Sequence, residues 1–192
     1  VDSTLLKIGQ VLIASANSNP ITMGIILGGI ITVGATAPLS SMALTAMLGL
    51  TGAPMAIGAL SVFGSSFLNF VLFQKMKFGS KKDTISVAIE PLTQADIITA
   101  NPIPIYVTNF IGGALCGIII VLMGLTNMSP GTATPIAGFA VMFAYNPAFK
   151  VLMASLACVV VSAGSGYLGY LLFKNYKIHT VDEIRGNDLE VE

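Results

Sequence analysis

The chain has 192 residues, a net charge of zero, 9% charged residues and a mean hydropathy of +0.85. Between Lys7 and Lys75 there is no Asp, Glu, Lys, Arg or His, and further charge-free runs cover 97–149 and 151–173. A soluble domain of this size needs a charged surface, so lipid is the solvent here, and a neutral chain offers no basic field to nucleic acid.

The segment 5–16 is apolar, but it follows Asp2 and no cleavage pattern closes it, so it does not read as a signal peptide. The first predicted span is 21–37, started by Pro20 and stopped by Pro38, which cannot continue a helix without losing a backbone bond. A short apolar piece at 40–50 is too short to cross the hydrocarbon. The run TGAP at 51–54 is a turn, and 55–73 is a second full span that ends on Lys75, Lys77, Lys81 and Lys82.

The stretch 84–101 carries Glu90, Gln94 and Asp96 among apolar residues, with Pro91 inside it. It reads as an amphipathic or re-entrant connector. A third span covers 105–125, a polar turn NMSPG follows at 127–131, and a second short apolar piece covers 135–145. The fourth span is 151–173, followed by Lys174, Lys177 and an acidic tail polar enough to be solvated.

The order span, proline break, short piece, second proline, span, lysines occurs twice. GATAP at 34–38 recurs as GTATP at 131–135, and FLNFVLFQK at 67–75 as YLGYLLFKN at 167–175. The expected fold is all-α and polytopic, with four full spans and two short broken or re-entrant helices. The expected units are membrane repeat 1 (1–82), connector (83–100), membrane repeat 2 (101–177) and acidic cytoplasmic tail (178–192). Cytoplasmic loops collect Lys and Arg, so both lysine clusters belong inside. With Lys7 also inside, each repeat becomes span, dip, span, and the two repeats share one direction; Lys150 then falls on the outer side.

Broken helices survive in a membrane only where protein or a wet cavity covers their ends. Paired half-spans therefore point to a substrate path. Thr36, Ser40, Ser41, Thr132 and Thr134 lie at the two breaks and offer a polar, uncharged lining suited to a neutral hydroxylated solute. The competing reading is that these hydroxyls cap their own helices. Glu90 either accepts bonds from such a solute or faces cytoplasmic water. Asp96 reads as a helix-end acid and His179 as a surface residue. Cys116 and Cys158 read as small buried residues rather than a disulfide or a metal site. Gly24 and Gly28, Gly112, Gly113 and Gly117, and Ser165 with Gly169 form small-residue packing faces. No catalytic set, metal cluster, cofactor motif or phosphate loop is visible, which argues against an intramembrane enzyme.

Several phrases carry a resemblance. NPITMGIILGGI at 19–30, APLSSMAL at 37–44 and LGLTG at 48–52 are followed by Gln94, Asn101-Pro102, IGGALCG at 111–117 and TATPIAGF at 132–139. In this order they resemble the IIC membrane component of the bacterial phosphotransferase system, in a branch whose members are about twice as long, with this chain matching their C-terminal half. The resemblance implies a sugar permease of the bacterial inner membrane that works with soluble IIB and IIA partners and carries no phosphorylated residue of its own. It also implies a substrate contact at Glu90, which is followed by Pro91 as in better-known groups; Gln94 and Asn101 are further candidate substrate-binding residues. Small-residue faces and a short chain suggest a homo-oligomer. The alternatives are a small-solute transporter or channel without phosphoryl coupling, and a membrane sensor or regulator derived from half of a IIC protein.

Overall fold

The computed structural model describes residues 2–37 and 39–186, with side chains from residue 7 onward apart from Pro38. Pro38, expected to stop the first span, and 187–192 of the acidic tail lie outside the described residues. Every regular element among the described residues is helical. The helices are α1 (Asp2–Ala16), α2 (Pro20–Thr36), α3 (Ser41–Met47), α4 (Ala53–Met76), α5 (Lys81–Ile89), α6 (Ala95–Ala100), α7 (Pro102–Leu122), α8 (Pro135–Val141), α9 (Ala148–Phe173) and α10 (Val181–Gly186). A 3₁₀ turn, Pro91–Gln94, joins α5 to α6, and another, Met142–Ala144, extends α8.

The boundaries follow from local chemistry. Asn19 caps α2 by accepting from Thr22 N–H at 3.0 Å, with Pro20 at the first helical position. Ser40 caps α3 by accepting from Ala43 N–H at 3.1 Å. Lys77 ends α4 in the left-handed conformation (φ 58°), and Ser80 and Asp83 form a reciprocal capping box that starts α5. Gly52, at φ 71°, makes the sharp turn into α4 that a side chain would strain.

Helices α4, α7 and α9, with 24, 21 and 26 residues, are long and apolar enough to cross a bilayer. They account for three of the four expected spans. Helix α2, the fourth, has 17 residues, about 26 Å at 1.5 Å per residue, somewhat short of the ~30 Å hydrocarbon core.

Helix α4 is the most enclosed of the long helices, and α7 packs antiparallel against α2, α4 and α9. Against α2, Gly117 meets Gly24, Gly113 meets Gly28 and Asn109 meets Thr36. Against α4, Cys116 lies at Gly64, Gly112 at Leu68, and Asn109 bonds Asn69. Against α9, Thr108 faces Gly169, Gly112 faces Ser165 and Cys116 faces Ser162. The α2–α7 seam is backbone against backbone: a Cβ at Gly117 or Gly113 would overlap the carbonyl of Gly24 or Gly28. The small-residue faces are thus consumed inside the chain, and they no longer argue for a homo-oligomer.

The helix directions correct the expected topology. Ile31 packs at Gly58, and Ala35 and Val62 line one cavity, so α2 and α4 run parallel. The chain between them must therefore return from the level of Val62 to that of Ala53, about 14 Å along α4 at 1.5 Å per residue, partly extended and partly as α3. It joins two parallel helices, whereas the expected dip joined two antiparallel ones. The second half does contain a dip. Thr126 and Asn146 are joined by two bonds (Thr126 N–H to Asn146 Oδ1, 2.9 Å; Asn146 Nδ2 to Thr126 O, 2.7 Å), so the segment between them leaves and re-enters at one end. Its far end, at Pro135, shares a cavity with Val62, about 14 Å along α4 from Ala53 at 1.5 Å per residue. The two halves thus do not share one direction: α9 runs with α4, whereas α7 runs against α2. The expectation failed because it used Lys7 as an inside marker, and one lysine is a weak topological signal.

The ends of α4 and α9 lie together. Lys75 sits 5.7 Å from the Tyr167 ring centroid, and Val181 N–H donates to Phe78 O at 2.9 Å. Both lysine clusters are therefore at one end of the bundle. A second apolar core is built there from Leu72, Phe73, Phe78, Val87, Ile97, Ile98 and Ile105.

Candidate functional site

Three backbone breaks converge on one cavity. The start of α3 contributes Leu39, Ser40 and Ser41; the tip of the re-entrant hairpin contributes Ala133, Thr134 and Pro135; the connector contributes Glu90, Pro91 and Leu92. Ala35 of α2 and Val62 of α4 form the back wall. The cavity measures about 120 Å³, room for roughly eight to twelve water-sized groups. That is the scale of one sugar ring.

Its polar groups differ in how they are occupied. Ser41 donates from Oγ to the carbonyl of buried Ala133 at 2.9 Å, fastening α3 to the hairpin tip. Ser40 is exposed and spends its oxygen on capping α3. Thr134 makes no capping bond, and its Oγ1 is buried without a partner. A buried hydroxyl left unpaired is costly, which marks it as open to a ligand or a water. Glu90 is exposed at the rim, in an extended conformation (φ −146°) between α5 and the 3₁₀ turn. The two short helices have seven residues each, so their dipoles are small. The chemistry offered is three hydroxyls and a carboxylate against apolar walls.

Of the eight residues expected at the site, Ser40, Ser41, Glu90 and Thr134 are brought together here. Thr36 stands beside the back wall. It is fully buried, donates to Thr32 O at 3.0 Å and lies 3.2 Å from Asn109 Oδ1. The other three are elsewhere. Thr132 builds the polar turn, accepting from Asn127 Nδ2 at 2.9 Å and donating to Ser129 O at 2.8 Å. Gln94 accepts from Arg185 Nη2 at 3.0 Å. Asn101 pairs with the backbone of His179 through two bonds of 2.8 Å.

Sequence reasoning passed over one polar pair. Asn109 Nδ2 donates to Asn69 Oδ1 at 2.7 Å across α4 and α7, both residues fully buried, and Asn69 Nδ2 has no partner. The available signal was two amides inside charge-free spans, where such groups act as interhelical glue or as functional residues. Cys116 and Cys158 are free and buried, with Cys116 Sγ 3.2 Å from Ser162 Oγ. Among the described residues no group of three His, Cys, Asp or Glu side chains is placed to hold a metal.

A second polar cluster lies at the lysine end, outside the spans. Arg185 bonds Asp83 Oδ1 at 2.9 Å and Asp96 Oδ2 at 2.8 Å. Burial alone would raise the Asp83 carboxyl, but bonds from Ser80 and Arg185 outweigh it and hold the group below its ordinary value. Asp96 is lowered chiefly by its bond from Arg185, against a smaller burial effect. The guanidinium is raised in turn by Asp96 and then Asp83, so it stays charged at every accessible pH.

A family model described as "Phosphotransferase system, EIIC" matches residues 1–189, nearly the whole chain. The chain belongs to that family. No curated protein and no solved structure matches it. Family membership and three spanning-length apolar helices make this a membrane protein of the phosphotransferase system.

Proposed function

We propose that this IIC family member binds a sugar in the cavity between α3, the hairpin tip and the connector, and carries it across the bacterial inner membrane. The observation that carries the reading is that Thr134, whose buried Oγ1 is unpaired, lines one cavity with Ser41 and Glu90. A neutral hydroxylated ligand satisfies that hydroxyl and donates to the carboxylate, while the apolar walls take its ring carbons. Ser41 and Thr36 then act as supports, and Gln94, Asn101 and Thr132 hold the surrounding backbone.

In this reading the lysine end is cytoplasmic, and soluble IIB and IIA partners phosphorylate the sugar there. The membrane part consists of units at 1–82 and 101–177, each ordered as long helix, short helix, long helix, with α2 as a fourth crossing. The connector at 83–100 then closes the cavity from the cytoplasmic side.

The test is a thermal-unfolding screen of the detergent-solubilised protein against monosaccharides. A ligand that binds only the folded state raises the transition by mass action. One sugar should do so in the parent protein and fail in the Glu90→Gln variant. If no sugar shifts the transition while an unrelated solute does, the reading is wrong.

A further inference from the structure

The segment after α9 is folded back as a strap. Its Ile178, Val181 and Ile184 pack on the apolar core around Phe73, Phe78 and Ile97, and Asn101 pins the His179 backbone. From this strap Arg185 reaches the connector at three points. Its Nη1 bonds Asp83 Oδ1 at 2.9 Å, its Nε bonds Asp96 Oδ2 at 2.8 Å, and its Nη2 bonds Gln94 Oε1 at 3.0 Å. Asp83 belongs to α5. Gln94 and Asp96 belong to the arm beyond the bend, and the apex between the two arms is Glu90-Pro91, the rim of the cavity.

We propose that Arg185 is a positioning residue for the solute site: it ties the two arms of the connector together and so holds Glu90 and Pro91 against Ser41 and Thr134. The inference rests on the cavity being the solute site.

Four features support it. Asp83 is pre-oriented, because its other carboxylate oxygen accepts from Ser80 N–H at 2.8 Å and Ser80 Oγ at 2.6 Å, leaving Oδ1 for the guanidinium. Asp83 and Asp96 share one cation, so removing it leaves two carboxylates repelling across the bend. The planar fork of Arg serves three acceptors in fixed directions, which the point charge of Lys does not reproduce. Glu90 itself sits in an extended break after the last turn of α5, where backbone helicity gives it little support.

The test uses the full chain with a reporter, Ala133→Cys. Ala133 is 1% exposed and lines the cavity together with Glu90 and Pro91, so a water-soluble maleimide reaches it faster when the rim opens. The native Cys116 and Cys158 are buried between α7 and α9 and serve as internal reporters of global unfolding. Labelling is followed site by site by mass spectrometry. Arg185→Gln should raise the rate at position 133 by about fivefold, the scale of one partly exposed ion pair, with Cys116 and Cys158 unchanged. Arg185→Lys, which keeps the cation but loses the fork, should fall between the parent and Arg185→Gln. A rate at 133 unchanged by Arg185→Gln overturns the proposal.

Should Arg185→Gln raise labelling at all three sites, Asp96→Asn replaces it, since that change keeps the Asp83 pair; a rise confined to 133 supports the strap, and no rise there overturns it. Protection of position 133 by a sugar in the Ala133→Cys chain with Arg185 intact reports the solute site independently. If no sugar protects while Arg185→Gln still opens the rim, the strap stands and the sugar reading falls.

Discussion

Thr134→Val separates a binding hydroxyl from a structural one, because the two roles change stability with opposite sign. The Thr134 Oγ1 is buried and unpaired, and Thr134 makes no capping bond to α8. An unsatisfied buried hydroxyl costs about 1–3 kcal/mol, and valine keeps the branched shape while removing it. Thr134 is only half-buried as a residue, so the lower end applies and the ligand-free protein should gain about 1 kcal/mol, roughly fivefold in its folding equilibrium. Sugar affinity should fall by the worth of one neutral hydrogen bond, about 0.5–1.5 kcal/mol, or about two- to tenfold in Kd.

Ser41→Ala is the matched control. It strips the donor from the buried Ala133 carbonyl and should lose about 1–3 kcal/mol. Both variants are compared with the parent by unfolding in detergent, with and without the sugar found by screening. If Thr134→Val is as destabilising as Ser41→Ala, the hydroxyl already has a partner and the argument for an open binding group fails.

Gly117→Val drives a branched side chain into the Gly24 carbonyl, so α2 and α7 must separate. Loss of about 4 kcal/mol or more is expected, read as loss of the monodisperse peak on gel filtration; Gly34→Ala, with open space at its Cβ, should leave that peak intact. Asn109→Leu removes the α4–α7 amide bond and strands Asn69 with neither of its polar atoms paired, at about 1–2 kcal/mol; the companion change Asn69→Leu in the same chain should recover most of that in unfolding measurements.

The strap should answer to pH on the acid side only. Asp83 and Asp96 have lowered folded values, so their contribution is fully present above the ordinary carboxylate value near 4 and is lost as pH falls through the lowered folded values, while Arg185 stays charged. In a His179→Gln background, which removes the exposed His179–Glu183 contact at 3.7 Å, amide exchange of 178–186 should therefore be protected equally at pH 5 and pH 8, after correction for intrinsic rates; loss of protection between those values contradicts the pairing.

The membrane class was written in the sequence because it depends on composition alone: a chain without charge from Ile8 to Gln74 has no aqueous surface to fold around. The helix breaks were legible for the same local reason, since Pro20, Pro102 and Pro135 start helices and Gly52 turns the chain whatever surrounds them. Ser40, Ser41 and Thr134 could be picked out as break residues, and Glu90 as an acid too costly to leave in lipid without use.

The path of the chain was not legible. That α2 and α4 run parallel is decided by which glycine faces meet which, and the α2–α7 seam closes on carbonyl oxygens that no side-chain pattern encodes. The same holds for pairs distant along the chain: Arg185 with Asp83, Asn101 with His179, Asn69 with Asn109. Gln94 and Asn101 have the right chemistry for a solute, and only tertiary structure shows that chemistry turned toward the strap. Sequence alone determined the solvent, the helices and their breaks, because these follow from each residue's own solvation and backbone preferences. Tertiary structure decided which breaks share a cavity, because that depends on how closely helices pack across long separations in the chain.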